Sequence, residues 1–232
     1  MKLEDFCGRF HAFLKEGPKT PQILKTGKEL LGGLLSDPRW FGETLSRLVS
    51  DASYLETQTP SVFANEVTLY RSPDRIFSVM AFLWEPGSLC PVHDHSSWGI
   101  IGSLLDSVKE IRYSRLDDAG VDGNADLEQM AARTIRPGEV VYVAPLDQGI
   151  HQTGAAADRL AVSLGVYGKS IRKGYIHFFD PLNKRVERAY PPRIYKQVLA
   201  IRALKSAPEV WAEELSSLSS VHSLPEYLAE EI

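Results

Sequence analysis

The sequence predicts a mainly β domain, an all-β sandwich or closed jelly-roll barrel, with helical extensions at both ends. Two observations carry this. Between Ser61 and about Asp180, short runs rich in β-branched and aromatic residues alternate with Gly, Pro and Asp turns, as in "ANEVTLYRS", "RIFSVMAFLWEPG" and "DRLAVSLGVYG"; regular spacing of this kind builds a sandwich or barrel. On either side the apolar residues change to helical spacing. The expected organisation is a helical N-terminal extension over 1–60 packed on the barrel, a β-barrel over 61–190, and a C-terminal helical segment over 191–232.

At the N-terminus, "LEDFCGRFHAFLKEG", "TPQILKTGKELLGGLL" and "DPRWFGETLSRLVSDASY" are cut from one another by helix breakers. Phe6, Phe10 and Leu14 recur every fourth residue, and Asp37 before Pro38 makes a helix start. The β region continues through "WGIIGSLLDSVKEIRYSRL", "ARTIRPGEVVYVAP" and "GYIHFFDP". Within it "DDAGVDGNAD" reads as a polar hairpin loop or a mobile excursion. After "YPPR", helical periodicity returns in "IYKQVLAIRALKS" and "PEVWAEELSSL".

The 232 residues carry a formal charge of -4 without long runs of one sign, so no nucleic-acid footprint and no surface for anionic membranes is expected. Cys7 and Cys90 are too few for a disulfide scaffold and suit a reducing compartment. The N-terminus mixes charges with apolar residues, unlike a signal peptide, and no apolar run approaches bilayer length. A soluble cytoplasmic protein, monomer or homodimer, with a small-molecule partner is the expectation.

The stretch "PVHDHSSWG" places His93 and His95 on either side of Asp94. In an extended strand the two imidazoles share one face and the carboxylate takes the other, which suits two ligands of one metal. Gly87 opens a tight turn ahead of them. A third histidine, His151, follows a turn at Arg136-Pro137-Gly138, a strand at Val140 to Val143 and a loop at Pro145 to Gly149. The two segments meet if they face one another across a small barrel. Asp94, on the opposite face, is expected to make turn or supporting hydrogen bonds. His177 is read as packing, and His11 and His222 as surface residues.

This arrangement resembles the paired motifs of the cupin superfamily, Gly-x5-His-x-His-x(3 or 4)-Glu-x6-Gly and Gly-x(5 to 7)-Pro-x-Gly-x2-His-x3-Asn. Gly87, His93 and His95 fit the first; Gly138, Pro145 and His151 fit the second with one extra residue between proline and histidine. Gly99 and Ile100 stand near the place of the motif's glutamate, Asp106 near its later glycine, and Ala155 replaces the asparagine. The resemblance implies a double-stranded β-helix. Loss of the glutamate leaves a neutral three-histidine face, which on Fe(II) keeps positions open for a bidentate substrate and dioxygen together.

That pattern, with "FSVMAFLWEPGSLCPVHDHSSWGIIG", "SLGVYG" and "FFDP", is similar to bacterial cysteine dioxygenase-like and 3-mercaptopropionate dioxygenase-like proteins from roughly Phe77 to Asp180. The resemblance implies an Fe(II) enzyme that oxidises a small thiol with O2 to the sulfinic acid. Of the family's Ser-x-His-x-Tyr strand, Ser163 and Tyr167 are present and Gly165 stands where the histidine would be. Tyr167 then lacks its orienting imidazole, and a space is expected at 165 for water or a bulkier substrate; His177 is one possible substitute partner. Ordinary strand packing would also account for Ser163 and Tyr167. Cys90 is expected to face away from His93 by strand parity, as a buried structural thiol.

A carboxylate-bearing thiol needs a guanidinium anchor. Arg71, Arg75 and Arg172 are candidates, Arg71 and Arg172 the leading two: the anchor position of cysteine dioxygenases falls near Val67, with Glu66 beside it, whereas that of the mercaptopropionate type falls near Arg172 and Lys173. A protein lacking both contacts would take a thiol without a carboxylate. Trp98, close behind the ligand pair, is a candidate pocket wall. A non-catalytic metal-binding cupin that senses a small ligand, and a cupin enzyme for a non-thiol substrate, are the competing readings.

Overall fold

The structure, a computed structural model, describes residues 1–118, 123–221 and 224–231. His222 and part of the expected loop at Asp117–Asp126 lie outside the described residues. Four helices come first: α1 (Leu3–Lys15), α2 (Thr20–Leu35), α3 (Phe41–Ser50) and α4 (Ala52–Thr57). Eleven strands follow, β1 (Glu66–Arg71), β2 (Phe77–Trp84), β3 (Val92–His93), β4 (Gly99–Leu105), β5 (Val108–Arg115), β6 (Leu127–Ile135), β7 (Val140–Val143), β8 (His151–Ala155), β9 (Ala161–Gly168), β10 (Ile176–Asp180) and β11 (Arg185–Ala189). The described chain ends in α5 (Pro192–Ser206), α6 (Ala212–Ser219) and α7 (Glu226–Ala229).

The strands form two antiparallel sheets, ordered β1-β2-β9-β4-β7 and β11-β10-β3-β8-β5-β6. Taken from β2 to β9, four strands fall in each sheet in the order of a jelly roll, the double-stranded β-helix that the sequence predicts. Gly87 and Gly138 turn the chain with φ of 68° and 84°, a region in which only glycine is unstrained.

The long apolar runs of β2, β4 and β9 arise because their sheet is buried on both faces. Val79 and Ala81 of β2, Ile100 and Leu104 of β4, and Leu164 and Val166 of β9 join one cluster with Phe6, Phe10, Leu31 and Leu34 of the N-terminal helices. The residues between them, Met80 and Phe82 of β2 and Ile101 of β4, form a second cluster inside the barrel. Strand alternation thus sorts each residue to the helical layer or the interior. Small residues let α2 lie close: a Cβ on Gly27 would stand 2.3 Å from Ile100, and one on Gly102 would stand 2.4 Å from Leu35.

Helix starts follow the expected chemistry. The Asp37 side chain accepts the backbone N–H of Arg39 at 3.1 Å and opens a short 3-10 turn at Pro38–Trp40 that runs into α3. Asp51 accepts the Tyr54 N–H at 2.9 Å and restarts the chain as α4, so the third helical stretch is two helices and not one. Two short strands, β8 and β11, extend the pattern read from sequence. Among the described residues no helix is long and apolar enough to cross a membrane.

Phe10 shows how much the helical layer holds. It is fully buried and packs on Phe6 at 5.6 Å and edge-on to Phe77 at 5.3 Å between centroids. Phe10→Ala is expected to cost about 3–5 kcal/mol, seen as a lower urea midpoint at unchanged slope.

Candidate metal centre and its pocket

The histidines are brought together by pairing of the shortest strand. In the β3–β8 ladder His93 stands directly opposite His151, so both rings leave the sheet on the same face. Past His93 the chain leaves the sheet but is still held: the Asp94 N–H donates to the His177 carbonyl at 3.2 Å and the His95 carbonyl accepts from the Leu146 N–H at 2.7 Å. The third ring returns to the same side. Centroids of the three imidazoles are each 4.8 Å apart.

One nitrogen from each of His93, His95 and His151 lies within 4.8 Å of the others, and all three residues are buried. Nε2 of His95 and Nε2 of His151 are 2.8 Å apart. Imidazole nitrogens bound at about 2.0–2.1 Å to one ion stand about 3 Å apart when adjacent, so the spacing fits a shared metal. The remaining nitrogens are tied from outside: Nδ1 of His93 stands 3.0 Å from the Pro91 carbonyl, and Nδ1 of His151 stands 2.9 Å from the Glu110 carboxylate. Both contacts leave an Nε2 lone pair facing inward.

Glu110 is the site residue that sequence reading missed. It is completely buried on β5, with Arg133 and Arg112 also bound to its second oxygen. A signal was present, since Glu110 keeps step with the buried Val108 and so has to point inward. Burial opposes its ionisation, but the bonds from His151 and Arg133 outweigh that and bring its pKa down to about 2. Burial takes His151 down to about 4 against the pull of Glu110, and burial with two neighbouring imidazoles holds His95 well below the usual histidine range. For His93 burial also acts downward, but the Cys90 sulfur and the Pro91 carbonyl outweigh it and raise its pKa.

Cys90 corrects an expectation. Its sulfur is 3.6 Å from Nδ1 of His93 and takes the Thr153 N–H at 3.3 Å, so it does not face away. The chain bends at Pro91, and β3 spans only Val92–His93, so strand parity does not carry from 90 to 93. The thiol is buried, as expected.

Tyr167 lines the pocket and stacks on His95, with centroids 5.4 Å apart and planes at 17°. Its hydroxyl makes no hydrogen bond among the described residues. Burial raises its pKa, and the charges of Glu66 and Cys90 add to this. The space expected at Gly165 is filled by the tyrosine itself, because a Cβ there would stand 2.5 Å from the Tyr167 hydroxyl. Ser163 also lines the pocket but accepts the indole N–H of Trp84 at 2.9 Å, so it does not bond Tyr167. His177 is not a substitute partner: its Nδ1 meets Asp94 and Arg172, each at 3.2 Å.

Arg172 reaches the pocket wall, but both oxygens of the buried Asp94 hold it, at 2.5 and 2.6 Å. Asp94 does point away from the metal face, toward this arginine and the His177 N–H. Arg71 ends β1, is exposed and does not line the pocket. Trp98 is no pocket wall either. It continues the parity of Ile100, joins the helical layer edge-on to Phe10 at 6.3 Å and covers Gly168, where a Cβ would stand 2.3 Å from the indole. His11, as expected, is near the surface, paired with Asp74 at 3.0 Å.

The pocket in front of the histidines has a volume of about 340 Å³. Phe63, Met80, Phe82, Trp84 and Ile101 contribute its apolar wall together with Tyr175, and Pro191 and Ile194 bring in the start of the C-terminal segment. The N-terminal helices lie on the other side of the β2–β9–β4 sheet.

No family model matches the chain. Among solved structures it is similar to a cupin-like protein from Thermotoga maritima, 20% identical over 49% of this chain and 74% of that one, with a TM-score of 0.35. A cupin 2 domain-containing protein from Halorhodospira halophila is 16% identical over 51% of this chain and 70% of that one, TM-score 0.38. The Cupin_2 domain of an XRE family transcriptional regulator from Enterobacter cloacae is 13% identical over 44% and 93%, TM-score 0.33. The double-stranded β-helix rests on the strand order given above.

Two consequences of burying Glu110 and His151 together are measurable. Glu110→Gln is expected to weaken metal affinity about 10–100-fold, read by competition with a chelator. Linkage sets the pH dependence of the metal-free protein. His151 has an ordinary pKa of 6.5 and a folded one of about 4, and Glu110 goes from 4.5 to about 2. The unfolded chain therefore binds more protons through both windows, so stability rises with pH there and is lost as pH falls. The melting temperature of chelator-treated protein is expected to drop on acidification below 6.5, and Glu110→Gln to remove the window between 4.5 and about 2.

Proposed function

We propose that the protein is a mononuclear non-haem iron thiol dioxygenase, which adds both atoms of O2 to the sulfur of a small thiol and yields the sulfinic acid. The observation that carries this reading is the neutral donor set: three buried imidazoles converge without a carboxylate in the group. Bound there, Fe(II) would acidify the thiol and bring it beside dioxygen.

The chain's own residues supply the setting. His93, His95 and His151 would hold the ion, with Glu110 and the Pro91 carbonyl fixing two of the rings. Tyr167, kept protonated by burial and lying on His95, offers its hydroxyl as a donor to the reacting centre. Ser163 fixes Trp84, and the wall of Phe63, Met80, Phe82 and Trp84 keeps water from the sulfur.

Oxygen uptake by Fe(II)-loaded protein with a panel of thiols tests the reading. Uptake matched by sulfinate and abolished in His93→Ala is the expected result; no uptake with any thiol despite bound iron would leave a ligand-sensing metal protein in its place. Tyr167→Phe is expected to lower the turnover rate about 10²-fold, and an unchanged rate would remove the phenol from the chemistry.

A further inference from the structure

The pocket wall also holds a carboxylate that the proposed chemistry does not use. Glu66 opens β1 and stands opposite Phe82 in the β1–β2 ladder, so it points with Phe82 into the barrel. It lines the same pocket as the three histidines but does not belong to their ligand group. The Ser61 hydroxyl donates to its Oε2 at 2.7 Å. Among the described residues no cation forms an ion pair with it.

Two features of the surroundings determine what this carboxylate can meet. Aromatic rings line its side of the pocket: Phe63 and Phe82 are 6.1 Å apart edge-on, and Phe82 is 5.7 Å from Trp84 and 6.5 Å from Tyr167. The one guanidinium described in the lining, Arg172, is held by both oxygens of Asp94. Among the described residues an anionic group would find no free guanidinium or ammonium of the protein here and would lie near the half-buried carboxylate of Glu66. An ammonium would gain a charge-assisted hydrogen bond from Glu66 and the attraction of the ring faces.

From this, and resting on the thiol dioxygenase reading, we propose that the pocket selects a thiol that carries a protonated amine and no free carboxylate, with Glu66 holding the ammonium beside Phe63 and Phe82 while the sulfur faces the histidines. The amine also offsets the partial desolvation of Glu66, which raises its pKa against the bond from Ser61 and the charge of Arg71. Recognition by Glu66 differs from the arginine anchor expected at Arg71 or Arg172, because it reverses the sign of the group that is read.

The test is calorimetric titration of Fe(II)-loaded protein, kept free of oxygen, with cysteamine, 3-aminopropanethiol, 1-propanethiol and 3-mercaptopropionate. At least one aminothiol is expected to bind about tenfold or more tightly than both 1-propanethiol and 3-mercaptopropionate, and Glu66→Gln to abolish its advantage over 1-propanethiol. Equal or tighter binding of 3-mercaptopropionate, or an aminothiol advantage that survives Glu66→Gln, overturns the proposal and leaves the thiol reading standing. If no thiol binds, the thiol reading falls and this inference falls with it. Should Glu66→Gln fail to fold, the ranking on the natural protein decides alone.

Discussion

The site depends on one constraint: the sheet of β2, β9 and β4 is buried on both faces, so every side chain in it is assigned to a layer by alternation. Even-numbered positions of β4, from Ile100 to Leu104, face the helices, and Gly99 and Ile101 face the interior. In β9 the phase is the same relative to its neighbours, which puts Ser163, Gly165 and Tyr167 inside. A slip of one residue would turn Tyr167 toward α1 and α2 and bring Val166 to the histidines. The apolar helical layer penalises that slip, because leucines and phenylalanines of α1 and α2 would then lie against polar side chains. The helices thus determine which residues face the three histidines, although they lie on the other side of the sheet.

The opposite sheet solves a different problem. β3 is too short to fix His95 by pairing, and the segment beyond it is held by buried charges. Asp94 sits fully buried between two metal-facing histidines, with Arg172 on both its oxygens and the His177 N–H at 2.8 Å. Glu110, also fully buried, is matched by His151, Arg133 and Arg112. An isolated charge in such places would cost several kcal/mol, of order 3–5 when one partner is removed. Each carboxylate is therefore tied to its cations. The two networks grip the histidine segments from behind and keep the Nε2 atoms convergent.

What sequence could show follows from these same layers. The barrel, the helical ends and the convergence of His93, His95 and His151 were legible, since turn spacing and a His-x-His on one strand face are local signals. Trp98 was misplaced: it shares the parity of Ile100 and faces the helical layer, and closeness in sequence to the ligands says nothing about the face. Cys90 fell outside such reasoning because a bend at Pro91 breaks the alternation. Arg172 lines the pocket, yet its partner Asp94 lies 78 positions away, and no local pattern reveals that a guanidinium is already engaged. Glu66 and Glu110 carry their meaning through opposite neighbours, Phe82 and Thr153, that only the ladders supply.

Gly165 shows how a departure from a resembled pattern is to be read physically. Taken alone, glycine in place of histidine suggests a missing group and an empty space. In the fold, the ring of Tyr167 lies across that glycine and against Gly99, where a Cβ would stand 3.0 Å from the ring. The two glycines form the slot that lets the phenol lie flat on His95. A histidine at 165 would expel the ring, and a tyrosine moved outward would occupy pocket volume in front of Phe82 and Met80. Residue 165 and the pose of Tyr167 are therefore one structural choice: the chain gives up a side-chain partner for the phenol and gains direct contact between the phenol and a metal-facing imidazole.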